Sequence, residues 1–103
     1  MQDIEEEIRY IVNQLVKKYK PSKIILFGSA AKGNFRRNSD FDFLVIKNDE
    51  RRPLEIEQEL HRIINYHLAS DFLFLSQQEF QRRLQEEDFF LKEIMETGKV
   101  LYG

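Results

Sequence analysis

Apolar residues recur at Ile4, Ile8, Ile11, Leu15 and Tyr19, the spacing of one face of an amphipathic helix. Asp3 and Glu6 precede that stripe at capping-box spacing, and Pro21 marks its end. Lys23-Ile24-Ile25-Leu26-Phe27 is a short apolar run. Its β-branched content and the following Gly28 predict a buried strand. Ser29 to Lys32 reads as the start of a short helix ended near Gly33, and 34–39 as a polar, basic loop. Asp40 to Ile46 predicts a second strand, alternating in its first half and apolar in its second.

Pro53 suits the first turn of a third helix, with Ile56, Leu60, Ile63, Ile64 and His67 as its inner stripe. Asp71 to Leu75 predicts a third strand. Ser76 and Glu79 form another capping-box pair and open a helical region that breaks near Gln85. The region resumes through Phe89, Phe90, Ile94 and Met95, and Gly98 caps it before a last extended piece, 100–102. The order α-β-α-β-α-β-α implies an α/β (α+β) layer structure with a small sheet flanked by helices.

Composition narrows the setting. The chain has 103 residues, 42% hydrophobic and 33% charged, which excludes disordered and membrane-spanning classes. We expect one domain over 1–103, with surface enough for one core but not two. The net charge of −2 argues against a module that grips nucleic-acid backbones. Cysteine is absent, which removes disulfide frameworks and thiolate metal sites. The acidic start and the lack of a long apolar run make a cytoplasmic protein, away from membranes, the expectation. Phe80, Phe89 and Phe90 exceed what so small a core buries, and an exposed cluster there would mark an interface, with a partner or in a homo-oligomer. His67 is expected to be partly buried on its helix stripe and His61 to face water.

The least ordinary feature is Asp40-Phe41-Asp42 at a strand start. Side chains two apart on a strand share a face, roughly 6.6 Å apart along the chain. Two carboxylates at that distance invite a cation, and Mg²⁺ commonly joins such groups to substrate phosphates. A lone Asp-x-Asp is more often a solvated strand start. Gly28-Ser29 adds weight, because glycine lets a ligand approach the backbone and a helix start offers N–H groups to an anion. Asp71 begins the next strand; by itself it reads as a turn aspartate. Asp40, Asp42 and Asp71 share one sheet edge if the second and third strands are parallel. Gly28-Ser29 joins them only if the first strand is antiparallel to the second, so the site requires a mixed sheet.

Gly28-Ser29, ten residues, then Asp40-Phe41-Asp42 resembles the signature of the minimal nucleotidyltransferase proteins of the DNA polymerase β-like nucleotidyltransferase superfamily. The resemblance runs over nearly the whole chain. It implies a nucleotidyltransferase fold and transfer of a nucleoside monophosphate, most often AMP from ATP, to a hydroxyl. Residues matching Asp40 and Asp42 bind two Mg²⁺ ions; the one matching Asp71 completes the carboxylate set and helps activate the attacking hydroxyl. Gly28 and Ser29 match the pair that holds the triphosphate, and Lys32, Ser39, Arg36 and Arg37 are the other candidate phosphate contacts. Many relatives carry arginine after the Gly-Ser pair; here the residue is Ala30, with Lys32 two places on. Arg36 and Arg37 either compensate or form a solvated loop. Stand-alone members of the family are often antitoxins of HEPN-domain toxins, acting by AMP transfer to a toxin tyrosine, by binding, or both. The alternative reading is a catalytically weak or inactive member that neutralises its partner by contact alone.

Overall fold

The computed structural model describes residues 3–28, 30–31 and 41–103. Helix α1, Ile4–Lys18, begins where the Asp3 carboxylate accepts the Glu5 amide. Acidic residues in its first turn and Lys17 and Lys18 in its last complement the helix dipole. It ends as expected before Pro21, with Lys20 in the left-handed region at φ 58°. Strand β1, Lys23–Phe27, follows, then β2, Phe41–Lys47. Helix α2, Pro53–Ile63, leads to β3, Ser70–Ser76. Helices α3, Gln77–Gln85, and α4, Phe89–Thr97, break where expected, and β4, Lys99–Tyr102, closes the described chain.

The order among the described residues is thus α-β-β-α-β-α-α-β. The helix expected at 29–32 is not among these elements. Ala30 and Ala31 lie in a turn, and Ser29 and Lys32 fall outside the described residues. Helix α2 stops at Ile63, so Ile64 and His67 are not part of it.

The four strands form one mixed sheet in the order β3-β2-β1-β4. β1 runs antiparallel to β2 and to β4, while β2 and β3 are parallel, joined through α2. This is the combination of directions that the candidate site requires. The terminal extended piece finds its partner in β1, with an irregularity between Ile24 and Ile25.

Strand alternation divides the apolar side chains between two faces. Phe41, Phe43, Val45, Phe72 and Phe74 join Ile24 and Leu26 under Ile11 and Leu15 of α1 and Ile56 and Leu60 of α2. On the other face Ile25, Leu44, Ile46 and Leu75 pack with Phe80, Leu91 and Ile94 of α3 and α4. The expectation of one core therefore gives way to two apolar clusters, because helices cover both faces of the sheet. Phe80 is absorbed into the second cluster, whereas Phe89 stays 83% exposed and Phe90 is also exposed. No helix among the described residues is long and apolar enough to cross a membrane.

Candidate active site

One end of the sheet gathers the leading ends of β2 and β3 and the trailing end of β1. Phe27 is the register partner of Asp42 across the antiparallel pair. Asp42 is in turn the register partner of Asp71 across the parallel pair. The Phe41 amide donates to the Ala69 carbonyl at 2.9 Å and ties the two strand starts together. Register partners on neighbouring strands lie about 4.8 Å apart and present the same face. Phe41 and Phe43 go to the opposite, fully buried face, so packing fixes which side Asp42 takes.

Gly28 completes this end of the sheet. Its φ is +80°, and a Cβ built on it would lie 2.5 Å from Asp42 Oδ2. Only a residue without a side chain fits so close against that carboxylate oxygen. A cleft of about 180 Å³ adjoins Gly28, walled by Phe27, Phe90, Glu93, Ile94 and Thr97. Phe27 and Phe90 meet edge to face, with ring centroids 5.9 Å apart.

Asp71 is exposed, and both of its hydrogen bonds enter one oxygen. Oδ1 accepts the Phe72 amide at 3.0 Å and lies 3.1 Å from His61 Nε2. His61 Nδ1 lies 3.3 Å from the Tyr66 hydroxyl, and the imidazole packs on Phe72. The expectation that His61 faces water is corrected here. It stands on the last turn of α2, half-buried against aromatic rings, and reaches Asp71. Ten residues separate the two, and nothing in the local pattern announces the pairing.

His67 is corrected in the opposite sense. It is exposed, outside any helix, and its Nδ1 meets Glu7 Oε1 at 2.9 Å. Glu7, with no exposed surface, also accepts the His67 and Leu68 amides at 2.6 and 3.0 Å. Burial pushes the Glu7 carboxyl upward, but these hydrogen bonds outweigh it and hold the group below its ordinary value.

The structure therefore brings Gly28, Asp42 and Asp71 to one sheet end. Asp40, Ser29, Lys32, Arg36, Arg37 and Ser39 lie outside the described residues. Ala30 packs against the first apolar cluster and brings no cation. Among the described residues no three acidic or histidine side chains converge on a common point. The donor set still suits a hard cation: carboxylates on adjoining strands, with the Gly28 bend set against Asp42.

A larger cleft, about 460 Å³, opens at the far end of the sheet, beside Asp49, Arg51, Glu79 and Arg83. These four charges are paired. Arg51 binds Asp49 and Glu59, and Glu79 binds Arg82 and Arg83. The Arg51 guanidinium holds Asp49 well below the usual carboxylate range, while burial, then Asp49, pushes the Tyr19 hydroxyl up. Those groups are spent on structure.

A family model described as "Polymerase beta, Nucleotidyltransferase" matches residues 9–103. A candidate protein adenylyltransferase of Methanocaldococcus jannaschii is 31% identical over 100 residues, covering 95% of this chain and 97% of that protein. The crystal structure of a candidate nucleotidyltransferase from Sulfolobus solfataricus aligns with a TM-score of 0.56 at 26% identity. That alignment covers 77% of this chain and 78% of the other.

Proposed function

Because the chain belongs to the polymerase beta nucleotidyltransferase family, we propose that it transfers AMP from ATP to a hydroxyl of a partner protein. The family makes a nucleoside triphosphate the donor substrate. The choice of AMP and of a protein acceptor draws support from the archaeal relative's name. The observation that carries the reading is the Gly28 bend laid against Asp42, with Asp71 as the next strand's register partner.

In this reading Gly28 and Ser29 hold the triphosphate through backbone and hydroxyl donors, helped by Lys32, Ser39, Arg36 and Arg37. Asp40, Asp42 and Asp71 would hold two Mg²⁺ ions, whose chemistry is neutralisation of phosphate charge as the reaction proceeds. The acceptor oxygen forms a bond to the α-phosphorus, and the bond from that phosphorus to the bridging oxygen breaks. Pyrophosphate leaves, and the hydroxyl proton passes to the Asp71 carboxylate. The protein works in the cytoplasm as one domain over 1–103. Its acceptor is a tyrosine of a HEPN-type toxin, which makes the protein an antitoxin; this step rests on the resemblance of the Gly-Ser and Asp-x-Asp motifs.

Ala30 favours a second reading, neutralisation by contact alone, because one cation common in the family is missing. A single experiment separates the two. The purified protein is incubated with ATP, Mg²⁺ and the product of the neighbouring gene. An added AMP mass on that product, abolished by EDTA and by Asp42→Ala, supports transfer. Inhibition of the product that survives Asp40→Ala and Asp42→Ala, with no mass added, supports contact alone.

A further inference from the structure

We propose that His61 is a positioning residue for the reaction, holding the Asp71 carboxylate in a single orientation. The inference rests on the role given to Asp71 above. An ionised carboxylate only accepts hydrogen bonds, so in the neutral ring Nε2 must carry the proton that reaches Asp71 Oδ1 at 3.1 Å. Nδ1 is then the acceptor, and the Tyr66 hydroxyl, 3.3 Å away, donates to it. A directed chain runs from Tyr66 through His61 to Asp71, and its two hydrogen bonds fix the tautomer.

Packing fixes the ring as well. The imidazole centroid lies 4.9 Å from that of Phe72, tilted by 64°, and Tyr66 packs on the same two rings. Phe72 thus serves twice, its ring under His61 and its amide on Asp71 Oδ1. Asp71 is 68% exposed at the start of an edge strand, where an unassisted carboxylate would turn between rotamers. With Oδ1 held from two sides, Oδ2 accepts no bond from the described residues and remains available to the reaction.

Such support shells are commonly worth 10- to 100-fold in affinity or activity. His61→Ala is expected to lower kcat about 10- to 100-fold while the KM for ATP moves less than about twofold. His61→Gln, which keeps an N–H donor near Nε2, should restore most of the loss. Once Asp71→Asn has been introduced, His61→Ala should cost little more, since nothing is left for it to position. A purely structural histidine would give losses that add and a loss of folded protein instead.

The ¹⁵N spectrum of the His61 ring supplies a readout independent of turnover. It should show the Nε2-protonated tautomer in the unsubstituted protein and a mixed population in Asp71→Ala. Parental kcat in His61→Ala, additive losses, or a ring spectrum indifferent to Asp71 would each overturn the proposal. If Asp71→Asn itself leaves transfer intact, the role of Asp71 fails, and positioning for the reaction fails with it. If the unsubstituted protein transfers nothing, the function above fails, and the ring spectrum still decides whether His61 holds Asp71.

Discussion

A methyl group added at Gly28 would lie 2.5 Å from Asp42 Oδ2 on a backbone whose φ is +80°. Both burdens fall on Gly28→Ala. The strained dihedral alone costs about 1–2 kcal/mol, which chemical denaturation should show. Displacement of Asp42 should lower AMP transfer further than that instability explains. Asp42→Asn keeps the shape and removes the charge, so we expect at least about a 100-fold loss of transfer. The placement of Gly28, Asp42 and Asp71 at one sheet end was legible in the sequence because, taken together, they sit at strand boundaries that a mixed sheet brings to one edge; alone, each reads as an ordinary turn or strand-start residue. His61 was not. Its partner lies around the sheet edge, and a histidine on the last turn of a helix carries no mark of what it will reach.

At the scale of elements, local signals located the strands and the starts of α1 to α4, though not the turn at Ala30 and Ala31. The Ser76 hydroxyl accepts the Glu79 amide at 3.1 Å, as the capping-box spacing promised. The other half of that box is absent, because the Glu79 carboxylate turns to Arg82 and Arg83. Ser76→Ala should therefore cost about 1 kcal/mol in urea unfolding, the value of one cap. The end of α2 departs from the apolar period for a reason outside its own sequence. Ile63 and Ile64 continue the apolar period, yet Lys18 caps the Ile63 carbonyl at 2.9 Å. Gln14 clamps both the amide and the carbonyl of Asn65, at 2.8 and 2.7 Å. Two ordinary polar residues of α1 thus end α2 and release the chain toward β3. Periodicity cannot see a stop imposed by another helix.

For the molecule as a whole, the same α1 is secured at both ends by depressed carboxylates. Glu7 anchors its first turns to the His67–Leu68 backbone, and Asp49 binds the hydroxyl of Tyr19 at its C-cap. Both groups titrate below their ordinary values of 4.5 and 3.8. Their contribution is complete above those values and is lost as pH falls through the folded-state ones. Thermal stability should decline as pH drops from about 4.5 toward 2, and Glu7→Gln should flatten the upper part of that decline. At neutral pH, Glu7→Ala should cost about 2–3 kcal/mol by stranding two backbone amides.

The outer rim of β3 has its own guard. The Phe72 and Phe74 amides, donors that an exposed strand edge offers to another chain, are taken by the carboxylates of Asp71 and Glu57. Asp71 therefore has a colloidal duty beside the chemical one proposed for it. Alanine at that position is expected to bare a sticky margin as well as to silence the proposed transfer, whereas asparagine keeps an oxygen for the Phe72 amide. A loss of solubility confined to the alanine variant would show that a lifeless preparation had clumped rather than merely lost its chemistry.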